Sequence, residues 1–192
     1  MHSLACKLAI WLYVHSSDNS KASLEIYIYG FELLLSTFMG CISIFLISFL
    51  IDQILSSLIF LLIFCPLRGY SGGYHSSTYL RCLFSSTFLY LIVVTTSIHL
   101  ANTFPIYFSL LFSALATLLI FLFAPMTHPN HPISHQRYIR SKFISRCFAI
   151  VLFFLICILI LIHTHANIIF LISLSKLAVA ILMIIPKIFF RR

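Results

Sequence analysis

The stretch LFSSTFLYLIVVTTSIHLANTFPIYFSLLFSALATLLIFLFAP, residues 83–125, decides what kind of fold this chain can form. It contains two long apolar runs, Leu83–Asn102 and Pro105–Pro125, with only Thr103 and Phe104 between them. Each run reaches the length of about 20 residues that a helix needs to cross the hydrocarbon layer of a membrane. Because the connection is so short, we expect an antiparallel pair of membrane-spanning helices.

The composition of the whole chain is that of a membrane protein. Of its 192 residues, 61% are hydrophobic and only four are Asp or Glu, which is too little polar surface to cover a water-soluble core. The length predicts one integral domain, 1–192. The net charge of +8 comes from basic residues that cluster between the apolar runs, so it indicates membrane topology rather than a surface for nucleic acid.

Apolar runs on both sides of the central pair extend the pattern to about six crossings. The run 33–51 is followed by a shorter one, 54–65, which ends at Pro66 and is open to two interpretations, a tilted span or a re-entrant piece. The runs 147–162 and 168–185 form a third pair, joined by HTHAN. We therefore predict an all-α polytopic membrane bundle of three hairpins.

Residues 1–29 precede these spans and contain an apolar patch, LAIWLYV, of only seven residues. The patch is too short to cross a membrane, and its apolar residues recur at helical spacing beside Lys7 and His15. We predict an N-terminal interfacial helix that lies on the membrane surface. Ser23 before Leu24 marks the expected start of a second helix.

The distribution of Lys and Arg predicts which ends of the helices face the cytoplasm, where these residues accumulate in short loops. Basic residues occur in the stretches 66–82 and 126–146 and in the C-terminal PKIFFRR, whereas the connections 52–53, 103–104 and 163–167 have none. Both termini and both basic loops are therefore predicted to be cytoplasmic in a multi-pass cell-membrane protein.

The loop 66–82 holds the residues best suited to catalysis. In CPLRGYSGGYHSSTYLRC, residues 65–82, His75 lies seven positions before Cys82, and Arg68 and Arg81 add positive charge. A cysteine attacks as its thiolate, which positive charge stabilises and a neighbouring histidine can generate. A His75/Cys82 pair therefore fits a nucleophile with its general base, although on the residues alone a packing role for the cysteine stays open.

Helix geometry constrains how this pair can meet. On an uninterrupted helix the two side chains would be about 10 Å apart along the axis. We therefore expect a bend between His75 and Cys82, for which Gly72 and Gly73 provide the backbone freedom. The same turn can present N–H groups to a developing oxyanion. Cys147 also follows an arginine but has no glycine-rich loop, so it is the weaker candidate.

The loop 126–146 carries a histidine cluster and a basic cluster. His128, His131 and His135 suggest metal ligands, but the intervening prolines favour a rigid turn, so we expect no metal and no other cofactor. The basic residues that follow are Arg137, Arg140, Lys142 and Arg146. Their first role is to fix the topology, and they are also candidates for docking an acidic peptide.

Lys176 stands in the middle of the last apolar run, where an ammonium group costs about 2.5 kcal/mol or more unless it is hydrated or buried among polar groups. Ser173 lies one helical turn away on the same face. We expect a polar seam in the bundle interior, shared with Thr95, Thr96 or Asn102.

The two polar loops together resemble the signature of the AgrB family of accessory gene regulator proteins. The first loop is similar in Arg68, in Gly72-Gly73-Tyr74-His75 and in Cys82. The second loop, APMTHPNHP over residues 124–132, resembles the Ala-Pro, His-Pro-Asn and second proline of the family. The likeness extends from about Leu24 to the C-terminus.

This resemblance implies a membrane-embedded cysteine endopeptidase of Gram-positive bacteria that matures the quorum-sensing precursor AgrD, and it also implies a homodimer. It assigns the nucleophile to Cys82 and the general base to His75. An internal cysteine of the precursor would displace Cys82 from its thioester and close a thiolactone, or a serine would close a lactone. The residues expected to contact the substrate are Arg68, Gly72, Gly73, Arg137, Arg140, Lys142 and Arg146. The alternative from another class is a non-enzymatic membrane peptide exporter or binding subunit.

Overall fold

Seven α-helices make up the part of the chain that the computed structural model describes, residues 2–15, 24–72, 79–126 and 135–189, with the backbone alone at 79–82 and 185–189. They are α1 (His2–His15), α2 (Leu24–Leu50), α3 (Ile54–Ser71), α4 (Tyr79–Thr103), α5 (Phe108–Phe123), α6 (His135–Leu161) and α7 (Ala166–Phe189). Five helices, α2, α3, α4, α6 and α7, are long and apolar enough to cross a membrane, and α5 is a shorter apolar helix. The predicted all-α polytopic fold is confirmed.

Short connections join the helices in the pairs that the apolar runs predict. Residues 51–53 connect α2 to α3, residues 104–107 connect α4 to α5, and residues 162–165 connect α6 to α7. Two of these turns contain a residue in the left-handed region, Asp52 with φ 55° and His163 with φ 53°. Such residues occur in tight turns, and here they reverse the chain between consecutive long helices.

Helix α3 corrects the prediction that this segment ends at Pro66. It continues to Ser71, so it has 18 residues and a length of about 27 Å. Pro66 has no N–H to donate to the preceding turn, but Leu67 beyond it is fully buried and packs the last turns of the helix into the core. The added residues give α3 the length of a span, which favours a crossing over a re-entrant piece.

Helix α6 also begins earlier than the last apolar pair predicts. It starts at His135 rather than near Cys147 and runs without interruption to Leu161. Part of the stretch predicted as the loop 126–146 is therefore the first three turns of a membrane helix. The basic residues from 137 to 146 consequently lie on a helical surface.

Helix α1 packs against α2, which begins at Leu24 as predicted. Ala5 and Ala9 are fully buried, and such small side chains allow two helices to approach closely. A hydrogen bond between His2 Nδ1 and Glu32 Oε1 adds a polar contact between α1 and α2. The position of α1 relative to the membrane surface stays a prediction.

Helix α7 forms the centre of the bundle. It contacts α3, α4, α5 and α6, and 67% of its apolar stretch is buried, against 33% or less in the other long helices. Large buried side chains from several helices fill the core around it, including Phe60, Tyr90 and Met183. The Tyr90 hydroxyl also donates a 3.3 Å hydrogen bond to the carbonyl of Gln53 in the α2–α3 turn.

Candidate active site

The glycine-rich segment begins where α3 ends. Gly72 follows the last helical residue, Ser71, with φ 73° and ψ −161°, and its N–H donates a 3.1 Å hydrogen bond to the Arg68 carbonyl. This backbone conformation is populated essentially by glycine alone. The chain therefore turns sharply at Gly72. Because the Gly72 amide is used in this cap, it is not an oxyanion donor here, and of the two amides predicted for that role only that of Gly73 remains a prediction.

Backbone pairing joins this turn to the segment that follows α5. The Met126 N–H donates a 2.9 Å hydrogen bond to the Ser71 carbonyl, and Gly72 and Met126 form a parallel bridge. A Cβ atom on residue 72 would lie 2.3 Å from the Met126 carbonyl oxygen, so the approach requires glycine. We call this pairing of Ser71 and Gly72 with Met126 the loop bridge. It holds together the starts of the two polar loops.

The two residues of the predicted catalytic pair follow Gly72 in the sequence. Cys82 is in the first turn of α4, which begins at Tyr79, but the structure describes only the backbone at this position. His75 and Gly73 fall outside the described residues. The His75/Cys82 dyad and the bend between its members therefore stay predictions.

Arg68 occupies the last turn of α3, one helical turn before the loop bridge. Its guanidinium carbon lies 5.4 Å from the centre of the Phe64 ring, within the range of a cation–π contact. A positive charge at this position also interacts favourably with the carbonyl end of the helix dipole. Arg68 thus adds positive charge at the end of the bundle that carries the glycine-rich segment.

The four basic residues of α6 differ in their surroundings. Arg137 and Arg140 are exposed, and Lys142 is half-buried. Arg146 instead reaches α5, where its Nη2 donates a 2.7 Å hydrogen bond to the Phe121 carbonyl and its guanidinium carbon lies 5.0 Å from the Phe121 ring centre. The basic cluster therefore divides into an exposed part and one residue that fastens α6 to the end of α5.

Of the three histidines that suggested metal ligands, the structure describes one. His128 and His131 lie outside the described residues, and His135 is the exposed first residue of α6. Among the residues that the structure describes, no group of three His, Cys, Asp or Glu side chains could hold a metal ion.

Lys176 is fully buried, and its polar partners differ from those predicted. Its Nζ donates hydrogen bonds of 3.0 Å to Ser113 Oγ and 2.6 Å to Thr117 Oγ1, both on α5. The same atom lies 5.7 Å from the centre of the Phe153 ring of α6. The predicted sharing with α4 is wrong, and Thr95, for example, is exposed and hydrogen-bonds within its own helix.

The sequence contained a signal for these partners. Ser113 and Thr117 are polar residues four positions apart in an otherwise apolar run, so they lie on the same face of one helix. What the sequence could not supply was the choice of α5 as the neighbour of that part of α7.

Comparisons with known proteins cover most of the chain. The family model described as AgrB, Accessory gene regulator B, matches residues 5–185. The AgrB-like protein 1 of Clostridium perfringens (strain 13 / Type A) is 28% identical over 139 residues, 71% of this chain and 72% of that protein. A protein of Clostridium beijerinckii, also described only as AgrB-like, is 29% identical over 153 residues, 79% of this chain and 76% of that protein. No solved structure is significantly similar.

Proposed function

The chain belongs to the AgrB family, and we propose that it is a membrane-embedded cysteine endopeptidase that cleaves and cyclises an AgrD-like precursor. Family membership assigns it to agr quorum-sensing peptide processing in the membrane, and the peptidase chemistry is our proposal. The observation that carries it is the loop bridge, because Met126 pairs with Ser71 and Gly72. The described parts of the two segments with family motifs are thereby held at the same end of the bundle.

In the proposed reaction, the Cys82 thiolate attacks the carbonyl carbon of a peptide bond near the C-terminal side of the precursor. His75 takes the thiol proton and gives it to the nitrogen of the departing tail as the C–N bond breaks. The retained part of the precursor then forms an acyl thioester with Cys82. The position of Cys82 in the first turn of α4, next to Arg81, supports this role because a helix N-terminus and a positive neighbour both stabilise a thiolate.

Cyclisation follows when an internal cysteine thiolate of the precursor attacks the thioester carbonyl and expels the Cys82 thiolate. One thioester replaces another, so the exchange is close to balanced in free energy. A precursor with serine at that position would form a lactone instead. Water must be kept from the acyl-enzyme, and the apolar α4 residues Leu83 and Phe84 that follow Cys82 support such exclusion.

We assign substrate contacts to both loops. Gly73 supplies an N–H to the oxyanion, and Gly72 and Arg68 shape the turn that carries it. The exposed Arg137 and Arg140 and the half-buried Lys142 would dock an acidic precursor tail through charge complementarity. Arg146 contributes mainly by holding α5, because its guanidinium already contacts Phe121.

The site and both termini are proposed to lie on the cytoplasmic side of the cell membrane of a Gram-positive bacterium. The basic residues of the loops and of the start of α6 support this orientation, and the relatives from Clostridium are consistent with such an origin. A homodimer is part of the same proposal, on family grounds alone.

The test is to coexpress a precursor with the wild-type protein, with Cys82→Ala and with the matched variant Cys147→Ala, and to detect the released tail by mass spectrometry. We expect release by the wild type and Cys147→Ala and none by Cys82→Ala. Normal processing by Cys82→Ala would overturn the enzyme proposal. Uncut precursor outside the cell would instead favour an exporter.

A further inference from the structure

Helix α5 packs on α7, and three of its four buried residues are small. Its buried positions Ser109, Ser113, Ala116 and Ile120 recur at helical spacing, and α7 is the helix that it contacts most extensively. Small residues allow the close approach of two membrane helices, but lipid supplies no hydrophobic force that favours one alignment. The small residues of this interface therefore constrain sliding of α5 along α7 only weakly.

Lys176 supplies the contact that fixes the alignment. It is fully buried and donates to two hydroxyls one turn apart on α5, those of Ser113 and Thr117. A slide of one turn away from the loop bridge would place Phe121 at the position of Thr117, so one acceptor would be lost and a bulky ring would enter its place. A slide in the opposite direction is limited by the short connection 104–107 to α4.

The alignment of α5 decides whether the loop bridge can form. Helix α5 ends at Phe123, and Met126, three residues later, makes the 2.9 Å hydrogen bond to the Ser71 carbonyl. One helical turn is about 5.4 Å, so a shift of this size would separate the two backbone groups. We propose that Lys176 is a positioning residue that sets α5 on α7 and thereby holds the loop bridge at the candidate active site.

This proposal rests on the proposed function for its effect on processing, but its structural part can be measured separately. Ser71→Cys and Met126→Cys, in a background without the six native cysteines, are joined by a short bifunctional thiol reagent, and the yield of this cross-link reports the loop bridge. Gly40→Cys and Ser86→Cys form a control pair between α2 and α4, because a Cβ on residue 40 would lie 3.6 Å from Ser86 Oγ. Cross-linking is measured on monodisperse protein, so misfolded material does not contribute.

We expect Lys176→Met to lower the ratio of bridged to open protein by roughly fivefold to tenfold, the effect of two interhelical hydrogen bonds in a membrane. Lys176→Gln, which keeps an N–H donor, should recover part of the cross-link, and the control pair should cross-link normally in both variants. Ser175→Ala is the matched control on α7, because its hydroxyl bonds to the Leu171 carbonyl of its own helix, and it should behave as wild type.

With the native cysteines restored, precursor processing should fall in Lys176→Met and stay normal in Ser175→Ala. Undiminished 71–126 cross-linking in monodisperse Lys176→Met would overturn the proposal, as would an equal loss in the control pair, which would indicate a general loss of packing. Absence of processing by the wild-type protein would overturn the proposed function while leaving the cross-linking result to decide the role of Lys176.

Discussion

Individual residues in this protein are constrained by their backbone positions as much as by their side chains. Gly69 and Gly72 illustrate this, since both belong to the same motif and lie three positions apart. Gly69 is helical with nothing within 4 Å of an added Cβ, whereas Gly72 has a positive φ and faces the Met126 carbonyl at 2.3 Å. Two glycines of one motif therefore tolerate substitution very differently.

Gly72→Ala should be strongly disruptive and Gly69→Ala should not. The first change places a side chain in a backbone region that costs about 1–3 kcal/mol and forces the loop bridge apart. The second should be neutral or gain about 0.5–1 kcal/mol, as alanine does in a helix interior. The apparent unfolding midpoint of the purified proteins and the release of the precursor tail check both outcomes. Equal tolerance of the two substitutions would contradict the loop bridge.

Arg146→Ala and Arg140→Ala should separate a packing role from a docking role. Loss of the Arg146 hydrogen bond to the Phe121 carbonyl should lower stability by about 1.5–3 kcal/mol, the range for bonds that involve a charged group. Arg140 is exposed, so its removal should leave stability unchanged and weaken only the association with an acidic peptide. Thermal unfolding and peptide-binding titrations distinguish the two, and matching stabilities would contradict the assignment.

At the scale of helices, apolar length predicted the elements well and their polar ends poorly. The runs from 33 to 185 predicted six membrane helices because burial in lipid depends on local hydrophobicity. The start of α6 was missed because HQRYIRSK is as polar as a loop. Hydropathy alone does not distinguish a hydrated helix from a hydrated loop. The end of α3 was missed because Pro66 usually stops a helix, whereas Leu67 beyond it is buried in the core.

The continuous α6 helix predicts a periodic pattern of chemical accessibility. Cysteines placed at Ile139 and Phe143, which are exposed, should react readily with a maleimide, whereas one at Ser145, which is buried, should react slowly. The rates measured from position 137 to 149 in detergent should follow the 3.6-residue period of a helix. Uniformly fast labelling up to position 146 would indicate a loop instead.

Contacts between segments that are distant in the chain could not be predicted from the sequence. The hydrogen bond from Met126 to Ser71 involves only backbone atoms, so no pattern of side chains predicts it. The choice of Ser113 and Thr117 as partners of Lys176 depends on which helix lies beside α7, which is a property of the packed bundle. The roles of nucleophile for Cys82 and general base for His75 could be proposed from a motif, because the motif is a pattern within one short stretch of sequence.

At the scale of the whole molecule, the connections fall into two groups at opposite ends of the bundle. The turns 51–53, 104–107 and 162–165 follow helices that run in one direction, while the loop bridge and the start of α6 lie at the other end. The three turns of the first group contain no Lys or Arg, whereas Arg68, Arg81 and the basic residues from 137 to 146 belong to the helix ends of the second group. The molecule is therefore expected to have one fixed orientation in the membrane.

Labelling of single cysteines in intact cells tests this orientation. A membrane-impermeant maleimide should react with cysteines placed at Gln53 and His163, and it should reach one placed at Arg140 only after the membrane is permeabilised. The two outer positions lie in different turns, so they act as independent reports. Reaction of the Arg140 position in intact cells would reverse the predicted topology.

The central position of α7 has a consequence for how the protein is made. The ribosome synthesises this helix after the other six, yet α3, α4, α5 and α6 all pack against it. The earlier helices are therefore synthesised before the helix that they pack against. At that stage the hydroxyls of Ser113 and Thr117 lack their amine donor. Synthesis of α7, which carries Lys176, completes the bundle. A nascent chain released before that point would lack the helix that contacts α3, α4, α5 and α6.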